Sequence, residues 1–286
     1  MKSSLFRHPF PRPVRRPHEV WEIVLLCTCM YLLSCFFLLQ QSYIHDRTLV
    51  SRIGLLTAVL TLAVWGLSVF ILPWILPSCF DEKRWTLARE CMFSTLVLLT
   101  SGALLLLYLQ LCTEPSTTAV MQPASIVYAI AIPAMTIWNT ARFFHLNRKF
   151  TLQAASINAL MHHKKRNSTF PDATVEFRSS GKQSALTLTI REILYIERKA
   201  ADVYVVSIHE GILRQDKITD SLKHAREKLG RHTAFYRCHR DWIINLDQVR
   251  EVAGNAQGLR LCIFGTGEKA PVASNLREEI VIRLSK

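Results

Sequence analysis

The sequence predicts a membrane protein: an N-terminal four-helix transmembrane domain, then a C-terminal mainly-β domain with one or two short helices. Two observations carry this reading. Residues 23–45, 53–80, 91–113 and 115–141 contain no Lys, Arg, Asp or Glu, and each run is long enough for the roughly 20 residues of helix that cross a hydrocarbon core. From about Ala173 onward apolar residues recur with period two, as in Leu259, Leu261 and Ile263 against Arg260 and Cys262.

Residues 1–19 form a basic leader with Lys2, Arg7, Arg12, Arg15 and Arg16. Such a leader also opens a cleaved signal peptide. Here, however, the apolar run 23–39 is long and is followed by bulky Gln40, Gln41, Ser42 and Tyr43 instead of a small-residue cleavage site, so it reads as an anchor. The spans are placed at about 20–41, 53–77, 91–112 and 124–144, together making domain 20–144. Residues 53–76 and 92–111 are apolar around the whole circumference, where a soluble helix would carry a polar stripe.

Lys and Arg in the short loops set the orientation. The first loop holds Arg47 and Arg52, the second Lys83, Arg84 and Arg89, the third (113–123) none, and Arg142, Arg148, Lys149, Lys164, Lys165 and Arg166 follow the fourth span. Both termini are therefore expected in the cytoplasm. Trp21, Tyr43, Trp74 and Trp85 sit near span ends, where amphipathic rings favour the interface. Of the eight cysteines, Cys27, Cys29, Cys35, Cys91 and Cys112 lie in or beside spans, Cys79 in an inner loop, and Cys238 and Cys262 in the second half. Their spacing does not suit zinc, and a cytoplasmic domain does not favour disulfides, so they read as small buried hydrophobes.

Residues 145–172 read as a linker: an amphipathic continuation of the fourth span with Phe150, Leu152, Ala155, Ile157 and Leu160 apolar, then the basic run from His162 to Ser168 held near anionic lipid. A short dimerising helix is the other reading. Adjacent His162 and His163 diverge by about 100° on a helix, which does not suit a shared metal. Domain 173–286 is expected to hold strands over 185–190, 203–208 and 259–264. A helix capped by Thr219 or Asp220 aligns Leu222, Ala225 and Leu229 before Gly230, and a second helix over 275–284 aligns Leu276, Ile280 and Leu284.

The second domain has 19 Lys and Arg against 14 Asp and Glu, an excess compatible with nucleic acid, with anionic lipid, or with neither. Phosphate loop, dinucleotide fingerprint, kinase signatures and zinc-protease helix are all missing, so no cofactor, metal or enzymatic activity is expected. His45 with Asp46 or a cysteine does not assemble a catalytic constellation. No carboxylate or Lys lies deep in a span, which argues against an ion-coupled carrier. The most informative stretch is Phe235-Tyr-Arg-Cys-His-Arg-Asp-Trp-Ile-Ile-Asn-Leu246, which clusters Arg237, His239 and Arg240 at a strand boundary. A purely structural reading pairs Arg237 with Asp241 and makes His239 a turn residue.

With Ile193-Leu-Tyr-Ile-Glu197, Ile208-His209, Leu222-Lys223, Leu259-Arg-Leu and Ala270-Pro-Val272 in the same order, residues 173–286 resemble the LytTR family of DNA-binding domains. The whole chain resembles bacterial LytTR regulators fused to a multi-span membrane domain. The resemblance implies small β-sheets that read DNA with loops. It places Arg240 at a base-contacting position, with Arg237 and His239 in the same loop, and Val203 at or near a second contact that is often His or polar. A third contact, basic in the family, falls at Ser274 and Asn275, with Arg277 the nearest cation.

The expected function is a membrane-anchored, sequence-specific transcriptional regulator of the bacterial cytoplasmic membrane, controlled by its spans. The alternative is a membrane adaptor whose β domain binds protein or anionic lipid. Expected partners are double-stranded DNA with repeated sites about one helical turn, roughly 10 bp, apart, and the lipid bilayer. A second copy of the chain is a candidate partner. The outer loops are too short for a folded sensor, so a lipid-borne or small signal, or another membrane protein, is a candidate as well.

Overall fold

The computed structural model describes residues 8–11, 17–40, 47–80, 84–112, 118–163, 173–178, 185–230, 232 and 234–285. Two compact units divide the chain, Met1–His145 and Leu146–Lys286.

In the first unit, α1 (Pro17–Leu39), α2 (Arg47–Phe70), a single-turn α3 (Leu72–Ile75), α4 (Leu87–Cys112) and the first part of α5 (Thr118–His163) provide four helices long and apolar enough to cross a membrane. Pro73 cannot return a hydrogen bond to the preceding turn, so α2 stops at Phe70 and α3 starts with proline in its first turn. Met30, Leu98, Leu105 and Val127 pack inward, while Leu25, Leu32, Leu55 and Leu107 point out. Close approach is made where side chains are smallest: a Cβ on Gly54 would stand 2.8 Å from Cys35 Sγ. The Thr57 and Thr61 hydroxyls donate to the carbonyls one turn back, each at 2.8 Å, which satisfies them without water.

Residues 8–10 lie against the start of α4. Phe10 N–H donates to the Trp85 carbonyl (3.0 Å) and Leu87 N–H to that of His8 (3.1 Å). Trp85, expected at the membrane interface, is instead buried. Its ring stacks on Phe80 and its indole N–H donates to Glu90 Oε2 at 2.8 Å, a buried acceptor that lets the whole ring leave the surface. Trp21 and Trp74 are exposed; Tyr43 lies outside the described residues.

The second unit is built on a five-stranded antiparallel sheet in the order β5 (Ile212–Ile218), β4 (Asp202–His209), β3 (Ile193–Lys199), β7 (Trp242–Asn245), β6 (Phe235–His239). Both faces are covered over the inner strands β3 and β7, while the edge strand β5 is largely exposed. Alternate residues of β7 go to opposite cores, Trp242 and Ile244 to one and Ile243 to the other, and so the strand reads as an unbroken apolar run. The Ile243 face packs on the β1 (Thr174–Phe177) and β2 (Leu186–Thr189) hairpin and on α6 (Leu222–Leu229). The Trp242 face packs on the sheet of β8 (Val249–Asn255), β9 (Gly258–Ile263) and β10 (Lys269–Pro271), and on α7 (Arg277–Ser285).

Two local features differ from the sequence reading. The cap of α6 is Ser221, whose hydroxyl accepts from His224 N–H at 3.2 Å. Asp220 is drawn away by Lys228 Nζ (2.8 Å) and by the Arg178 N–H (2.9 Å), and the Thr219 hydroxyl donates to the Arg178 carbonyl. Residues 145–163, expected as an amphipathic continuation of the fourth span in a membrane-side linker, do continue α5, and the difference is in what covers their apolar face. There Phe150, Ala154 and Ile157 enter the core of the second unit. The remainder of that expected linker, residues 164–172, lies outside the described residues.

Cys91, Cys238 and Cys262 are buried, Cys27 and Cys35 partly so, and Cys29 and Cys79 are exposed. The side chain of Cys112 is outside the described set.

Candidate nucleic-acid interface

The β6–β7 hairpin turns over Arg240 and Asp241, with His239 opposite Trp242. It is pinned from several sides. Trp242 anchors it from below, buried and stacked on Tyr195 with ring centroids 5.0 Å apart. Arg237 does not pair with Asp241, as the structural reading supposed. Its Nη2 donates to the Arg240 carbonyl at 2.8 Å and its Nε to that of His239 at 3.4 Å, so the guanidinium props the turn from within.

Asp241 takes Arg198 instead, accepting from Nε at 2.9 Å and Nη2 at 2.5 Å, while its own carbonyl receives the Arg198 N–H. Burial pushes the Asp241 carboxyl up, but the hydrogen bonds and charge of Arg198, followed by those of Arg240, outweigh it and hold the group below its ordinary range. His239 is a turn residue, its Nδ1 accepting the Asp241 N–H at 3.3 Å. The result is a tip braced by side-chain hydrogen bonds. On it stands Arg240, its side chain 75% exposed, touching Asp241 through Nε at 3.2 Å.

Beside the tip opens a groove of about 990 Å³, lined by Lys223 and Arg226 of α6, Arg237, His239 and Arg240 of the hairpin, Asn275, and Arg283 of α7. Its acidic members are Glu227 and Glu279. Glu279 is committed, receiving the Tyr236 hydroxyl at 2.5 Å and Arg283 Nε and Nη2 at 3.0 Å each. Burial and this carboxylate push the Tyr236 phenol up to about 12, so it stays a donor. Ala273 N–H donates to the Cys238 carbonyl at 2.8 Å and thereby fastens the segment leading to Asn275 against the hairpin.

Residues 183–284 match the family model described as the LytTr DNA-binding domain. The second unit carries a LytTR domain. Among solved structures, the LytTr DNA-binding domain of a protein described as a methyl-accepting/DNA response regulator from Bacillus cereus is similar at 20% identity and a TM-score of 0.33, covering 41% of this chain and 100% of that one. No curated protein matches the chain.

In the LytTR domain the residues singled out from the sequence fall into two groups. Arg237, His239, Arg240 and Asn275 line one groove, and Ser274 is exposed next to it. Val203 and Arg277 are elsewhere. Val203 is buried in the core beneath α6, opposite Ile218 on β5, and its side chain is closed to any ligand. Arg277 lies with its guanidinium carbon 4.4 Å from the Phe150 ring centroid, a cation over an aromatic face.

Sequence reasoning missed Lys223, Arg226 and Arg283 as groove residues, and Arg198 as the partner of Asp241. For α6 the signal was present. Lys223 and Arg226, three apart, lie off the face of Leu222, Ala225 and Leu229. What the sequence does not carry is the side of the hairpin against which that polar face rests.

Proposed function

We propose that the chain is a membrane-anchored, sequence-specific DNA-binding regulator. The observation that carries this reading is the braced β6–β7 tip, which presents Arg240 at the edge of a basic groove. A guanidinium held in this way can offer two parallel donors to guanine O6 and N7, a contact worth about 1–3 kcal/mol of discrimination. Lys223 and Arg226 are placed to neutralise phosphate, which supplies affinity without sequence information. Arg237 and His239 act by shaping the tip. Asn275 and Ser274 offer uncharged donors and acceptors at the same surface, and Arg277 and Val203 make no direct contact.

The four apolar helices support anchoring in a membrane, and the loop charges support an orientation with both termini in the cytoplasm. Control by the membrane region is supported by α5, a single helix whose residues belong to both units and whose last turns are part of the LytTR-side core. A signal that favours one position of α5 over another shifts the population of DNA-competent domains by its differential affinity. Two copies on repeated half-sites about one helical turn, roughly 10 bp, apart complete the reading.

The test is selection from random duplex DNA with the full chain in detergent, at two salt concentrations, alongside Arg240→Ala. Enrichment of a repeated motif by the wild type alone, with affinity falling as salt rises, is the expected result. Equal and unspecific pools from both proteins would favour the adaptor reading.

A further inference from the structure

The first unit carries an open-sided cavity of about 230 Å³, lined chiefly by its helices. One stretch of it is apolar, walled by Leu26 and Met30 of α1, Val97 of α4 and Ala131 of α5. Its polar lining residues belong to one end of the bundle: Glu22 near the start of α1, Glu90 and Ser94 near the start of α4, and Asn139 and Arg142 of α5. A space with a hydrocarbon wall and a polar end fits an amphiphile.

At the polar end one buried side-chain atom is unmatched among the described residues. Asn139 is 1% exposed, and its Oδ1 has no hydrogen-bond partner. The orientation of that amide follows from its neighbours. The Ser94 hydroxyl donates its one hydrogen to the Glu90 carbonyl at 2.9 Å, so its contact with Asn139 at 3.1 Å must receive the Nδ2–H. Oδ1 is therefore left as an unmatched buried acceptor on a residue that lines the cavity. A buried amide oxygen without a donor is disfavoured, and a polar side chain inside a membrane-spanning helix is a mark of a binding site.

Charge narrows the ligand. Glu22 and Arg142 are paired at 2.6 Å, and Glu90 adds a carboxylate that already accepts the Trp85 indole N–H. An anionic head would meet the Glu90 carboxylate and the partial negative charge of the Asn139 oxygen, while the Arg142 cation is already paired with Glu22. A neutral head with an O–H or N–H supplies the donor that this oxygen lacks.

We propose that this cavity binds a long-chain amphiphile with an uncharged hydroxyl or amide head, which donates a hydrogen bond to Asn139 Oδ1 while its chain lies along the Leu26, Met30, Val97 and Ala131 wall. Because Asn139 and Arg142 are on α5, occupancy acts on the helix whose last turns enter the second unit. Binding at this cavity does not depend on whether the second unit reads DNA.

The test uses the full chain in phosphatidylcholine nanodiscs and a 1-dodecanol carrying a diazirine near its tail, with crosslinks mapped by peptide mass spectrometry. The expected result is saturable labelling of cavity-lining residues, displaced by excess 1-dodecanol. Dodecyl methyl ether, which lacks the donor, should displace at least tenfold less well. Asn139→Leu should weaken labelling at least tenfold, and Ala131→Phe, which fills the cavity, should abolish it.

Because the ether comparison is made on the wild type, misfolding of a variant cannot mimic the result. Native mass spectrometry of the protein as purified separates the sources. A retained neutral lipid that Ala131→Phe lacks means a membrane lipid is the occupant, and an empty protein that takes up the alkanol means the ligand arrives from outside. Labelling of outward residues such as Leu55 and Leu107 alone, or equal displacement by alcohol and ether, would overturn the proposal and leave water or bulk bilayer as the cavity's content.

Discussion

Asn158 grips the main chain of Val252 with both halves of its amide: Oδ1 accepts the Val252 N–H at 2.7 Å and Nδ2 donates to the Val252 carbonyl at 2.9 Å. β8 is an edge strand of its sheet, and this side chain does for it what a neighbouring strand would. Removing the amide leaves two backbone groups beneath a helix. Asn158→Leu should destabilise the second unit by about 1–3 kcal/mol, read as a lower denaturant midpoint in a fragment of residues 146–286.

Gly254 allows the same helix to come close. A Cβ at that position would lie 2.0 Å from the Phe150 carbonyl oxygen, a backbone atom that a rotamer change cannot move. Gly254→Ala should therefore push the end of α5 off the sheet, seen as faster amide exchange over residues 150–158 while the five-stranded sheet stays protected.

A fragment beginning at residue 168 contains every strand yet lacks Phe150, Ala154 and Ile157 of the core. Loss of one buried Phe side chain alone costs about 3–5 kcal/mol. Residues 168–286 should melt well below residues 146–286, as thermal circular dichroism of the two fragments will register.

Much of this architecture is legible in the sequence. Charge-free runs coincide with the four helices that, among the described residues, are long and apolar enough to cross a membrane, and period two in Leu259, Leu261 and Ile263 reveals strands because alternate residues face opposite sides. The fate of Phe150 and Ile157 is not legible, since an amphipathic helix beside a span looks the same whether lipid or a β-sheet covers its apolar face. Trp85 misled for a similar reason: it reads as an interface ring until Phe80 and Glu90 are seen around it. At the candidate site the Arg237–Arg240 cluster is local and therefore readable. The groove is not, because Lys223, Asn275 and Arg283 reach it from elements far apart in the chain.

The Arg198–Asp241 pair gives the tip a pH dependence of known sign. The folded Asp241 carboxyl lies below its unfolded value of about 3.9. Its contribution is therefore complete above that value and is lost as pH falls through the folded one. The stability gap between wild type and Asp241→Asn should be constant from about pH 5 upward and shrink as pH drops below about 3.9, measured by urea unfolding of residues 146–286.

Lys223 and Arg226 should act on phosphate. Lys223→Ala and Arg226→Ala should each weaken binding by a similar factor for all duplexes and reduce the slope of log K against log salt by about 1, in fluorescence anisotropy titrations with selected and scrambled DNA.

Whether Arg240 reads a base is decided by a double-mutant cycle. Wild type and Arg240→Ala are titrated against the selected duplex and against duplexes with each guanine replaced in turn. One replacement should weaken the wild type by about 5- to 200-fold, the equivalent of 1–3 kcal/mol, and leave Arg240→Ala unchanged. Losses that simply multiply, with Arg240→Ala still discriminating at every guanine, would contradict base reading by Arg240.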